Sequence, residues 1–178
     1  MSYELTNIPK AEGKNPPGMA DTILMCRRQE VLTFPPSISP VVNPGDSLRL
    51  DGDITFDTGD GWVEVYATQD TVETLLKKVG QKDSRGFNAE IPFFHPSLSA
   101  AFLELLVEDP DLIFAVKRSG CNGTEYIIFG DDCRSLKLMG DYGSGKSDDE
   151  SGRNGTEAMA SGYIPNPWFY NGTITLKP

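Results

Sequence analysis

Residues 140 to 147 read GDYGSGKS: Gly140, Asp141, Tyr142, Gly143, Ser144, Gly145, Lys146 and Ser147. They satisfy the phosphate-loop pattern G-x-x-x-x-G-K-[ST] at every required position. The chemistry of that pattern is specific. A strand feeds a glycine-rich turn whose amides wrap the phosphates, lysine neutralises them, and the Ser/Thr opens a helix whose N-terminus adds positive potential. The segment RSLKLM supplies an expected strand ahead of the loop. After Lys146 the chain continues SDDESGRNGTEA, with Asp148, Asp149 and Glu150 where a triphosphate would approach, then Gly152 and an Asn154-Gly155 turn signal. Coulomb repulsion from the three acids opposes the attraction of the loop amides. No helix is expected there, nor the alternating strand and helix architecture such a loop needs. The stretch is therefore read as a solvated link between strands, with a nucleotide-binding protein kept as the disfavoured alternative.

Other reactive side chains do not assemble into a pattern. Cys26, Cys121 and Cys133 form an odd set without C-x-x-C spacing, and the only histidine, His95, has no ligand-rich neighbourhood, so neither a disulfide framework nor a zinc site is indicated. The run YIIFGDD resembles a metal-binding strand ending in aspartate, but its place one short strand upstream of GDYGSGKS suits a meander better. Asn-Gly-Thr occurs at Asn122, Asn154 and Asn171. These triplets are glycosylation acceptors in a secreted protein, and otherwise turns. The start MSYELTNIPKAEGKN has neither the basic beginning nor the apolar run of a signal peptide, which favours turns and leaves a secreted adhesin-like sandwich as a second alternative. Tyr163, Trp168, Phe169 and Tyr170, interrupted by Pro165 and Pro167, are expected to pack rather than to stack on a ligand. No catalytic, cofactor-binding or metal-binding residue is assigned, and no cofactor is expected.

Composition narrows the classes further. A chain of 178 residues with 38% hydrophobic content can bury one substantial core rather than two. No run approaches the roughly 18 apolar residues of a membrane span. Sixteen Lys+Arg against twenty-six Asp+Glu give a formal net charge of -10, which excludes a nucleic acid gripped through its phosphates. The same charge suits a conduit whose wall repels a polyanion and lets it slide.

The first twenty residues, rich in Pro, Gly, Lys and Asn, read as an extended arm (1–20), and residues 21–178 as one β-rich domain. Apolar runs at TILMCRR (22–28) and VLTF (31–34) precede a proline-rich crossing. SLRLDGDITF and GWVEVYAT alternate at period two, with Val63, Val65 and Ala67 set against Glu64, Tyr66 and Thr68. Residues 69–86 read as an irregular excursion or a long hairpin loop, and GFNAEIPFF (86–94) as a strand. One helix is expected, at about 97–108, with Leu98, Ala101, Phe102, Leu105 and Leu106 on its apolar face, Ser97 as its cap and Pro110 as its stop. A helix of about three turns cannot cover both faces of a sheet, so it should close one opening or flank of a barrel or sandwich. DLIFAVKRS and TEYIIFG flank an Asn122-Gly123 hairpin signal.

This order of elements, from GMADTILMCRR through GFNAEIPFF, SLSAAFLELLV and DLIFAVKRSGCNGTEYIIFGDD to GSGKSDDESGRNGTEAMASG, resembles the tail tube proteins of tailed bacteriophages. The resemblance is most specific from Phe94 to Leu138, while the N-terminal arm and IPNPWFY match no motif of that family. It implies a mainly β, sandwich or barrel-like domain with one flanking helix and no enzymatic activity. It further implies homohexameric rings stacked into a tube, contacts with other tail proteins, and viral DNA passing through the lumen without sequence-specific binding. The location so implied is the virion tail, after synthesis in a bacterial cytoplasm, with no membrane partner. The arm and the 69–86 stretch are the expected contacts between successive rings.

Overall fold

The computed structural model describes residues 21–68, 70–81, 85–97, 99–117, 125–143 and 153–178. Its elements, in chain order, are β1 (Asp21–Arg27), β2 (Val31–Thr33), β3 (Thr55–Phe56), β4 (Val63–Ala67), β5 (Leu75–Val79), β6 (Gly86–Pro96), α1 (Ala100–Glu108), β7 (Leu112–Lys117), β8 (Tyr126–Phe129), β9 (Lys137–Gly143), β10 (Gly155–Ile164) and β11 (Trp168–Tyr170). They form a five-stranded sheet in the order β11-β8-β7-β1-β4, a four-stranded sheet in the order β5-β6-β10-β9, and a two-stranded ribbon, β2-β3. Every pairing between these strands is antiparallel.

The five-stranded sheet is covered on both faces, and its sequences show why. β1 and β7 are nearly continuous apolar runs, the pattern of strands with no solvent side. Ile23, Met25, Leu112 and Phe114 turn to one face, where they pack with Ala89, Ile91, Phe93, Leu138, Ala158 and Ala160 of the four-stranded sheet. Leu24, Cys26, Ile113 and Ala115 turn to the other, under Leu50, Ile54, Trp62 and Tyr170. The protein is thus a β-sandwich whose larger sheet carries a second layer, made of the 31–62 excursion with Ile174 beyond β11. β4 alternates as expected, with Val63, Val65 and Ala67 buried and Glu64 exposed.

The two sheets join at their corners, which gives the barrel-like character. Beyond β4 the chain crosses to run along β6, with Thr68 N donating to Phe94 O and Glu73 N to Pro92 O. On another side, Leu136 exchanges both backbone hydrogen bonds with Leu112. Helix α1 closes an opening between the sheets: Phe102 and Leu105 are buried in the inter-sheet core, with Ala101 and Leu106 packed against it. Leu98, assigned to the same face, lies outside the described residues.

Several local expectations are corrected. The helix cap is Ser99, whose hydroxyl accepts from Phe102 N, and not Ser97. Ser97 sits in the left-handed region at φ 67 and donates its amide to Asn154 O, so its backbone cannot enter the helix. Residues 69–86 contain a strand: β5 pairs along β6 from Leu75↔Glu90 to Val79↔Gly86. SLRL is no strand; Asp46–Leu48 is a short 3-10 turn, and Arg49 and Leu50 make single bridges to Phe169 and Ser37. Near the C-terminus, Leu176 makes one further single bridge, to Trp62. The expected arm (1–20) and the Asn122-Gly123 turn fall outside the described residues, although β7 and β8 pair as that hairpin requires.

Candidate functional site

The first half of the GDYGSGKS motif is strand. Gly140 to Gly143 end β9 and pair with β10 in the register Gly140↔Ala158, Asp141↔Glu157, Tyr142↔Thr156 and Gly143↔Gly155. A phosphate loop must already be turning over these residues so that its amides converge on one point; here they are extended and committed to a ladder. Gly140 has a packing reason of its own. A Cβ at that position would lie 2.9 Å from Thr156 Cγ2 and 3.3 Å from Leu106 Cδ1, so glycine lets α1 settle against β9. Tyr142 donates its hydroxyl to Asn154 Oδ1 at 3.1 Å, tying the ends of the connection together. Ser144, Gly145, Lys146 and Ser147 lie outside the described residues.

The same strand forms one limit of the four-stranded sheet. Among the described residues, β9 pairs only with β10 and β5 only with β6. Both strands expose apolar side chains, Leu76 and Val79 on β5 and Met139 on β9. Because side chains alternate, the face turned away from the core carries Glu90, Glu157 and Asp141 together with Lys77 and Lys137. Glu157 and Asp141 stand directly opposite each other and are both exposed. Lys77 from β5 bridges to Glu90 at 2.6 Å. A charged sheet face flanked by two strands that each have a single described partner is the most distinctive surface of the described fold.

Two further polar clusters serve the interior. Lys177 is only 5% exposed, and its Nζ lies 3.1 Å from Asp60 Oδ1 and 3.3 Å from Glu30 Oε1. The hydrogen bonds and charges of those two carboxylates outweigh burial and raise the ammonium group above its ordinary value, while burial is the main force pushing the Glu30 carboxyl up. The segment carrying Lys177 runs beside Trp62, with Trp62 N donating to Thr175 O and Lys177 N to Trp62 O. Gly61 makes that approach possible, since a Cβ there would lie 2.7 Å from Lys177 N. The second cluster joins Arg27 to Glu108, Arg28 to Asp111, and Lys137 to Asp109 and Asp111, binding the C-terminal end of α1 to β1 and β9.

The remaining candidates have places in the fold. Asp131, Asp132 and Cys133, at the end of YIIFGDD, bring donor atoms within 4.8 Å of one another. Asp131 Oδ1 there closes a turn by accepting from Cys133 N and Arg134 N, at 2.8 and 2.7 Å. Cys26 is a buried free thiol and Cys133 an exposed one; Cys121 lies outside the described residues. In the aromatic group, Tyr170 is fully buried, Trp168 packs against the same core, and Tyr163 is partly exposed beneath the Arg134 guanidinium. Asn154 and Asn171 sit at the ends of β10 and β11. No described helix is long and apolar enough to cross a membrane.

Sequence reasoning missed the strand β10, the free edges of β5 and β9, and the Lys177 cluster. LLKKV shows no apolar/polar alternation, so β5 had no periodic sign in the sequence and is defined by its pairing with β6. No family model matches the sequence, and neither the curated proteins nor the solved structures offer a match.

Proposed function

We propose that this chain is a structural subunit that associates through the edges of its four-stranded sheet into rings, and that the rings stack as the tail tube of a bacteriophage. The observation that carries the reading is the pair of edges. β5 and β9 lie at opposite limits of one sheet, each with a single described partner. Pairing β5 of one copy with β9 of the next is a head-to-tail contact, and such contacts close into a ring when the rotation between copies fits. Lys137 of β9 is engaged by Asp109 and Asp111, and Lys77 of β5 by Glu90. The pairing charges are therefore Lys78 on β5 and Asp141 on β9, whose opposite sign favours β5 with β9 over β5 with β5 or β9 with β9.

The net charge gives the ring a purpose. At -10, with Glu157 and Asp141 exposed side by side on the outward sheet face, the chain suits a lumen through which DNA slides, because a cationic wall would bind its phosphates. The hexameric number, the stacking, the other tail proteins as partners and the virion location rest on the resemblance to tail tube proteins. The extended conformation of Gly140–Gly143 supports a structural role over nucleotide hydrolysis. Sedimentation velocity over a concentration series tests the association: the expected result is a discrete ring-sized species growing at the expense of monomer, and monomer at every concentration would end the proposal.

A further inference from the structure

His95 is the only histidine of the chain, and it is fully buried where three elements meet. It lies near the end of β6 and pairs in register with Thr156 of β10. Its Nδ1 is 2.8 Å from the carbonyl oxygen of Tyr66 on β4. A carbonyl can only accept, so Nδ1 carries the proton and the neutral ring leaves its lone pair on Nε2. That nitrogen is buried and without a hydrogen-bond partner among the described residues. The ring is stacked on Phe102 in the first turn of α1, with centroids 4.7 Å apart and planes inclined by 22°.

Among the described residues no acceptor meets a second proton on the ring. The described groups that face it are uncharged: the Tyr66 carbonyl from β4, the buried Thr156 from β10 and Phe102 from α1. The titratable side chains of those elements are Glu64 and Tyr66 on β4, Glu157 on β10, and Glu104 and Glu108 on α1, with Arg153 lying over the neighbouring Phe94. None of them figures in the balance at His95, where burial lowers the imidazole and the Tyr66 carbonyl raises it by less. Two left-handed turns flank the joint. Ser97, between His95 and the helix cap, has φ 67 and is held there by its surroundings, while Asp70, where β4 crosses to β6, has φ 61, a left-handed turn that aspartate accepts readily.

We propose that His95 is an acid-release joint, in which proton uptake at Nε2 undocks helix α1 from the two sheets. An imidazolium there would bury a positive charge and an unsatisfied N–H, a cost that the cation–π attraction of the Phe102 face offsets only in part. Undocking α1 lets water reach Nε2 and removes both costs. The sign follows from linkage: the docked state binds fewer protons than the opened one, so docking weakens as pH falls below about 6.5, the ordinary histidine value. Glu30 works in the opposite sense, because its raised carboxyl binds a proton more readily folded than unfolded.

The test uses the full chain, isotopically labelled. As the only histidine, His95 gives an unambiguous imidazole signal in a nuclear magnetic resonance titration, and amide exchange on the same sample tracks α1. Between pH 6.5 and 5, protection factors over Phe102–Glu108 should fall by about tenfold per pH unit, the limit for one proton, while β1 and β7 hold theirs. The fall should begin near pH 6.5 and precede the imidazole titration, which the docked state holds to lower pH, and ring nitrogen shifts at pH 7 should report the Nδ1–H tautomer. His95→Phe, or His95→Gln should the first variant not fold, should flatten the dependence. Helix protection that stays constant from about pH 6.5 down to the imidazole titration, or a dependence that survives in the variants, overturns the proposal.

Discussion

A Cβ on Gly140 would come within 2.9 Å of Thr156 Cγ2. That one approach accounts for the first glycine of a motif that otherwise reads as a nucleotide loop: β9 and β10 meet beneath α1 with no room for a side chain. Gly140→Ala should therefore destabilise the fold by about 1–3 kcal/mol through overpacking, seen as a lower thermal midpoint of roughly 2–4 °C per kcal/mol. Lys146→Ala should leave the midpoint unchanged. Calorimetric titration with ATP and GTP should show no binding to the unmodified chain, and saturable binding lost in Lys146→Ala would restore the nucleotide reading.

The Lys177 cluster makes a prediction with a pH signature. Lys177→Met leaves Glu30 and Asp60 facing each other without their shared cation, which should cost about 2–4 kcal/mol near pH 7. Since burial already raises the Glu30 carboxyl, loss of the lysine raises it further. The variant's deficit should then shrink as pH falls from 7 towards 5 and Glu30 takes up a proton. Urea unfolding of both proteins across that range is the measurement; a deficit independent of pH would show that the two carboxylates are not what the lysine stabilises.

Tyr170 supports the second layer through its hydroxyl. The Oη donates to Thr173 O at 2.8 Å and accepts from Ile54 N at 3.2 Å. Tyr170→Phe keeps the ring in the core and strands both partners, so chemical denaturation should show a loss of about 1–2 kcal/mol. A neutral result would mean that water replaces both bonds.

The sheet edges predict a separation of folding from assembly. Val79 is 37% exposed and Met139 51%, so Val79→Lys and Met139→Lys add charge to the edges without disturbing the core, the way exposed edges are commonly protected. Each should leave the circular dichroism spectrum and unfolding midpoint of the monomer unchanged and raise the concentration needed for association by about tenfold, the equivalent of about 1.4 kcal/mol. Association unaffected by either change would remove β5 and β9 from the interface.

Legibility in the sequence tracked the strength of local patterns. The β4 alternation and the α1 stripe were legible because one periodic face of each is buried. The helix start was displaced because Ser97 and Ser99 are chemically equivalent as caps; only the Asn154 carbonyl, distant in sequence, distinguishes them. β10 was hidden by composition. Its EAMASGYI is rich in small residues with little intrinsic strand preference, yet it is held by ten register pairs to β6, and Gly162 fits only because a Cβ there would lie 2.8 Å from Ser135 O. SLRL failed in the opposite way: a strand-like pattern was overridden where Leu50 packs onto the five-stranded sheet as part of the second layer. The Lys177 cluster joins residues 30, 60 and 177, a proximity no spacing reveals.

Negative-stain electron microscopy of the purified full-length protein at high concentration tests assembly into a tube most directly. The predicted result is rings of sixfold symmetry with an open centre, alone or stacked into tubes, and their loss when Val79→Lys and Met139→Lys are combined. Uniform particles of monomer size, persisting at the highest attainable concentration, would contradict it.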